Sequence, residues 1–265
     1  MSLAAVPQTD SSLAVNKEGL AFRTDAGIGL RANLGLVVLR TDQTIEDEFR
    51  FALPGDGVAL YESRIYNDPE ITPENLVKMT ERVPATVDLL PAVDFNVIGY
   101  ACTSGALVIG EEKIAEQVHR VLPGVPVTDP VTAARAALAA LGVSSIALLT
   151  PYLAAINHSL RASLMARGMQ IPVMGSFNEA DDNRVARISP ESVEQAILEI
   201  GAATDCEAVF VSCTSLRVAR FVERIEQQLG KPVTSSNHAL AWHMLRLAGV
   251  TDELPGRGEL FRRAL

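Results

Sequence analysis

At 265 residues, 48 % of them hydrophobic but only 5 % aromatic, the chain can build an aliphatic core for one large domain or two small lobes. Thirty-two acidic residues against 23 Lys and Arg leave a formal net charge of −9. No basic stripe is present, which argues against nucleic acid as a partner. No apolar run nears the roughly 20 residues that cross a bilayer, which argues against a membrane span.

The first 18 residues lack the basic-then-apolar order of a secretory signal, so the chain reads as cytoplasmic. Residues 1–28 carry no clear period and are expected to form an extended or flexible arm. From Asn33 short apolar runs alternate with amphipathic stretches, the pattern of βα units. Strands are expected at Leu34–Leu39, Val58–Glu62, Asn96–Tyr100, Ser145–Thr150, Ile171–Met174 and Ala208–Ser212. Two helix starts stand out, Thr72-Pro73-Glu74 and Ser189-Pro190-Glu191, each with a hydroxyl cap, a first-turn proline and an acid.

The chain repeats itself. Gly35-Leu-Val-Val-Leu recurs as Ile146-Ala-Leu-Leu-Thr and Ala101-Cys-Thr-Ser as Ser212-Cys-Thr-Ser, both at an offset of 111 residues. Gly124-Val-Pro-Val-Thr recurs as Gly230-Lys-Pro-Val-Thr at an offset of 106. The fold implied is α/β: two similar doubly wound parallel-sheet lobes related by a pseudo-twofold axis, with the active site in the cleft between them. The first lobe takes residues 29–128 plus 235–265 with a C-terminal helix, and the second takes 129–234.

Duplication brings Cys102 and Cys213 to one cleft, each expected between a strand and a helix. A cysteine at a helix N-terminus meets a partial positive charge and free N–H groups, which favours the thiolate. Thr103 and Ser104 after the first cysteine, and Thr214 and Ser215 after the second, supply donors for a carboxylate. Two thiols on opposite faces of a carbon can act as acid and base, and one alone can add to a double bond. The plainer account of a buried cysteine is a small hydrophobe; Cys206, without a repeat partner, is assigned that role. Three cysteines with no CxxC pair make no disulfide framework.

At these residues the sequence resembles the aspartate/glutamate racemase superfamily, in the branch of maleate cis-trans isomerases and arylmalonate decarboxylases. The resemblance runs from Asn33 to Val250. It implies catalysis by Cys102 and Cys213 without a cofactor, carboxylate binding by Tyr152 of Thr150-Pro-Tyr and by Asn183, and a homodimer. Ser235-Ser-Asn237 also matches a family motif. The decarboxylases typically keep only the second cysteine, so the pair favours an isomerase or racemase. One position departs: Asp42 stands where the isomerases carry an asparagine that grips a substrate carboxylate. An aspartate there repels a carboxylate and accepts an ammonium group; it also suits a helix cap for Ile45–Phe51. With this change the chain looks closest to the racemase-like proteins of ectoine utilisation.

No histidine pair has zinc spacing, no metal site is expected, and neither Asp25-Ala-Gly-Ile-Gly nor Leu53-Pro-Gly-Asp-Gly suits a nucleotide. Arg40 and Arg217 are read as surface arginines. The expected function is a cofactor-independent racemase or isomerase of a small amino acid or N-substituted diamino acid. The alternatives are cis-trans isomerisation of a maleate-like diacid through a Cys102 adduct, and a non-catalytic ligand-binding sensor.

Overall fold

The computed structural model describes residues 18–265, so most of the predicted arm, residues 1–17, lies outside it. Residues 18–31 form neither helix nor strand. The first lobe runs β1 (Ala32–Leu39), α1 (Ile45–Ala52), β2 (Val58–Ile65), α2 (Pro73–Val77), α3 (Val83–Val87), β3 (Val97–Ala101), α4 (Thr103–Ile109), α5 (Glu111–His119) and β4 (Val127–Thr128). Helix α6 (Pro130–Leu141) leads to the second lobe: β5 (Ser145–Thr150), α7 (Ala154–Met165), β6 (Gln170–Ser176), α8 (Asp182–Val185), α9 (Pro190–Gly201), β7 (Ala208–Val211), α10 (Val222–Leu229) and β8 (Val233–Ser235). Helix α11 (Ser236–Leu247) follows.

Both sheets are parallel and ordered alike, β2-β1-β3-β4 and β6-β5-β7-β8, so the repeat in the sequence is a repeat in topology. The six expected strands form within a few residues of their predicted ends. Strands β4 and β8 escaped prediction because they are two or three residues long and follow a proline at the sheet edge. They fall on the repeated Pro-Val-Thr motifs.

Aliphatic strands are buried on both faces, as parallel sheets require. In β1, Leu34, Leu36 and Val38 pack in one cluster with Trp242 and Met244 of α11, while Val37 and Leu39 join the other cluster. The alanines of α6 allow it to lie against α11, and Ala133 and Ala137 reach the same cluster as Trp242. Both legible helix starts form as read: the Thr72 hydroxyl accepts from Asn75 N–H and the Ser189 hydroxyl from Ser192 N–H.

The lobes are stitched together beside the cleft. Ile71 N–H donates to Ala180 O and Asp182 N–H to Pro69 O, both at 3.1 Å, around an antiparallel bridge between Glu70 and Asp181. No helix among the described residues is long and apolar enough to cross a membrane.

Candidate active site

Cys102 follows β3 and caps α4. Its Sγ accepts from Gly105 N–H at 3.2 Å and lies 3.7 Å from Ser104 Oγ. Only glycine fits at 105: a Cβ there would stand 2.9 Å from that sulfur and 2.8 Å from Tyr100 Oη.

Cys213 is built differently. The expected helix after it is absent; residues 214–215 form a turn, a 3-10 turn follows at Ala219–Phe221, and α10 starts only at Val222. The backbone at Cys213 has φ 141°, a conformation that non-glycine residues adopt at a cost. Its Sγ accepts from Ser215 N–H at 3.4 Å.

What the second cysteine lacks locally it receives from elsewhere. Ser236 Oγ accepts from Cys213 N–H at 3.0 Å and from Thr103 Oγ1 at 2.8 Å, tying the two cysteine loops to one atom. The Thr214 carbonyl accepts from Thr44 Oγ1 and Asn237 Nδ2, both at 2.7 Å. The Ser215 hydroxyl donates to Asp182 Oδ1 at 2.8 Å, and Thr41 Oγ1 donates to the other Asp182 oxygen.

Tyr152 links the pair electrostatically. Burial pushes its phenol well above the ordinary range, and the charges that Cys213 and Cys102 would carry push it further. Among the described residues, four of the five buried side-chain nitrogen and oxygen atoms without a hydrogen-bond partner gather here: Asp42 Oδ2, Tyr152 Oη, Ser212 Oγ and Asn237 Oδ1. Each orphan costs about 1–3 kcal/mol, so a cluster of them marks a site kept for a ligand rather than a packed core.

The expectation of ready thiolates fails. The sulfur-bearing side chains are 2 % and 5 % exposed. Burial drives the Cys102 thiol up to about 12, against the smaller pull of the Gly105 N–H and Ser104. Burial and then Asp182 push Cys213 upward as well. Desolvation outweighs the helix terminus, and at Cys213 there is no helix terminus to help. Asp42 takes the capping role with one oxygen. Oδ1 caps α1, accepting from Thr44 N–H at 2.8 Å and Ile45 N–H at 2.9 Å, while Oδ2 stays unpaired. Burial raises this carboxyl to about 6, the two N–H bonds opposing.

The structure thus brings Cys102, Cys213, Asp42, Thr103, Ser104, Tyr152, Thr214 and Ser215 into one buried region. Asn183 sits at its rim, half-buried, its Oδ1 accepting from Gln43 Nε2 at 3.2 Å. The acid beside it, Asp182, is the buried member of that pair. Sequence reasoning missed Asp182, Ser236 and Thr41 as site residues; only Ser236 carried a signal, the Ser-Ser-Asn motif. Arg217 is half-buried rather than solvated, with Nη2 donating to Ile188 O at 2.8 Å. Cys206 is buried and donates to Ala203 O at 3.1 Å, consistent with a packing role. Among the described residues no cluster of three or more His, Cys, Asp or Glu could hold a metal.

Comparisons with known proteins identify the family and the fold. A family model described as arylmalonate decarboxylase matches residues 52–261. The maleate isomerase of Nocardia farcinica is 28 % identical, over 89 % of this chain and 97 % of its own. The arylmalonate decarboxylase of Bordetella bronchiseptica is 29 % identical, over 79 % of this chain and 91 % of its own. Among solved structures, a cysteine-to-serine variant of the Nocardia farcinica maleate cis-trans isomerase holds a covalently bound succinylcysteine intermediate. It superposes with a TM-score of 0.79 at 27 % identity, over 87 % of this chain and 98 % of that one. The maleate isomerase of Pseudomonas putida S16 with maleate shares the fold at a TM-score of 0.80 and 20 % identity, over 88 % and 99 %. The chain belongs to the arylmalonate decarboxylase family and is an enzyme of its isomerase and decarboxylase branch.

Proposed function

We propose that this protein is a cofactor-independent isomerase of a small carboxylate, in which Cys102 and Cys213 act on opposite sides of one bound molecule. The observation that carries the reading is the cluster of unpaired polar atoms around two thiols from equivalent strands of the two lobes. The relatives shift the balance between the two reactions considered from the sequence. Covalent cis-trans isomerisation is now the better supported, because a relative at 27 % identity has been trapped with a cysteine adduct.

In this reaction Cys102, its proton lost while the cleft is open, adds to one olefinic carbon. A sulfur–carbon bond forms, the π pair moves to the neighbouring carbon and its carboxylate, and the Cys213 thiol protonates that carbon. Rotation about the new single bond follows. Cys213 then recovers the proton, the sulfur–carbon bond breaks, and the trans product leaves with both sulfurs restored. Tyr152 and the N–H groups after the cysteines hold the carboxylate that takes up charge. Sulfurs this deeply buried demand an opening step, and the backbone bonds between residues 69–71 and 180–182 are among the contacts that join the lobes beside them.

Asp42 favours a second reading, racemisation of an amino acid or N-substituted diamino acid such as an ectoine breakdown product. Its unpaired Oδ2 accepts an ammonium group and repels a second carboxylate. The sensor alternative has no support in a family of enzymes. One experiment in D₂O separates the two reactions by proton NMR. Maleate converting to fumarate supports isomerisation; amino acids gaining α-deuterium while maleate persists supports racemisation. Neither change, with either class, refutes the proposal.

A further inference from the structure

We infer that Glu48 is a positioning residue for Cys213: carried on the first lobe, its carboxylate fixes the second-lobe loop on which that cysteine stands. Thr44 and Glu48 lie four residues apart, on one face at the start of α1. Thr44 holds the Thr214 carbonyl. Glu48 reaches the far end of the same loop, where Val218 N–H and Ala219 N–H each lie 3.0–3.2 Å from its two carboxylate oxygens.

Those two N–H groups open the 3-10 turn Ala219–Phe221 that runs into α10, and Val218 offers that turn no side-chain cap. Glu48 therefore does from the opposite lobe what a capping residue does within its own segment. Cys213, with its strained φ, stands immediately before the Thr214 grip, and between the two grips lie only Ser215 to Arg217, a stretch with no helix or strand. Such a stretch keeps its shape because both ends are held.

The grip needs the ionised acid. With both oxygens facing both donors, a proton on either would point at an N–H. Burial pushes the Glu48 carboxyl up to about 7, and the Ala219 and Val218 N–H groups pull it down. The groups around it are Asp47 on its own helix, which raises it, the Asn237 amide of α11, which lowers it, and Arg220 of the 3-10 turn, which pairs with Asp47. The loop is thus held above neutral pH and released below it.

The inference rests on the proposed role of Cys213, but its test reads the loop itself. The whole protein is pulsed with methyl methanethiosulfonate between pH 5.5 and 8.5, and the labelling of Cys213 relative to Cys102 is read by peptide mass spectrometry. Taking the ratio removes most of the dependence common to thiols. The wild type should show a several-fold rise in the ratio as pH falls through about 7. Glu48→Gln should show the raised ratio at every pH, with kcat lowered and KM little changed. Asp47→Asn, which removes an exposed partner of Arg220 and Arg50 and with it a charge that raises Glu48, should move the step to lower pH. A flat wild-type ratio, a wild-type step surviving in Glu48→Gln, or an unmoved step in Asp47→Asn overturns the inference. Absence of turnover in the wild type would count against the proposed function and leave the labelling result standing.

Discussion

The two cysteine loops occupy equivalent strand ends and share the Ser236 hydroxyl, but are otherwise held by different means. Cys102 is supported from within: it caps its own helix, and its sulfur takes an N–H from the next turn. Cys213 is supported from without, by Ser236, Thr44, Asn237 and Glu48, all outside its own loop. The repeat carries a cysteine at the same strand end in each half, but a helix directly follows only Cys102. The self-supported loop suits a nucleophile whose position must not vary. The loop held by the other lobe changes with the distance between lobes, which suits a proton carrier that acts once the cleft is shut. This division of labour extends the proposed function and can be broken by experiment.

The largest effect is expected on chemistry. Cys102→Ser and Cys213→Ser should each lower turnover by about three to four powers of ten, as loss of a residue acting in a unit does. In maleate turnover assays, Cys213→Ser should accumulate the Cys102 adduct, and Cys102→Ser should form none. Adduct on Cys213 alone would exchange the two roles.

Packing changes come next. Gly105→Ala places a Cβ against the Cys102 sulfur and Tyr100 Oη. It should cost about 1–3 kcal/mol in denaturant unfolding and slow Cys102 adduct formation while sparing Cys213. Equal effects on both thiols would show that the loops are coupled more tightly than described.

A smaller difference separates the backbones. Glycine tolerates φ 141° and alanine does not, so Cys213→Gly should be more stable than Cys213→Ala by about 1 kcal/mol. At Cys102, with φ −150°, the order should reverse or vanish. The same order at both sites would remove the argument from strain.

The last effect concerns Asp42 and shows only in the pH dependence of stability. Its carboxyl is raised from 3.8 to about 6, so the folded state keeps a proton that the unfolded chain releases. Stability contributed by this group is therefore full below about pH 4 and falls as pH rises to about 6. Asp42→Asn should flatten that fall, visible as a few degrees in Tm between pH 4 and 7. An unchanged pH profile would mean that Asp42 is solvated.

Much of this was legible before the structure. The aliphatic runs of β1 and β5 and the twice-written Cys-Thr-Ser triplet carry the topology and the cysteine pair, because period and repetition are local signals. Strands β4 and β8 were too short to show a period. Glu48 and Asp182 were hidden for another reason: their partners lie from 33 to 171 residues away, and no local pattern announces such contacts. The thiolate expectation failed because a sequence shows a helix start but not the depth at which it is buried. Asp42 was half-read. Its capping role follows from position, its unpaired oxygen from packing alone.

Bromoacetate tests most directly whether the two sulfurs share one molecule. It is a small carboxylate that alkylates thiols, and its adduct should fill the shared site. Intact-protein mass spectrometry should find a single carboxymethyl group per chain, divided between Cys102 and Cys213, with Cys206 spared. Chains carrying the label on both Cys102 and Cys213 would contradict the account, because two separate pockets would then have been filled.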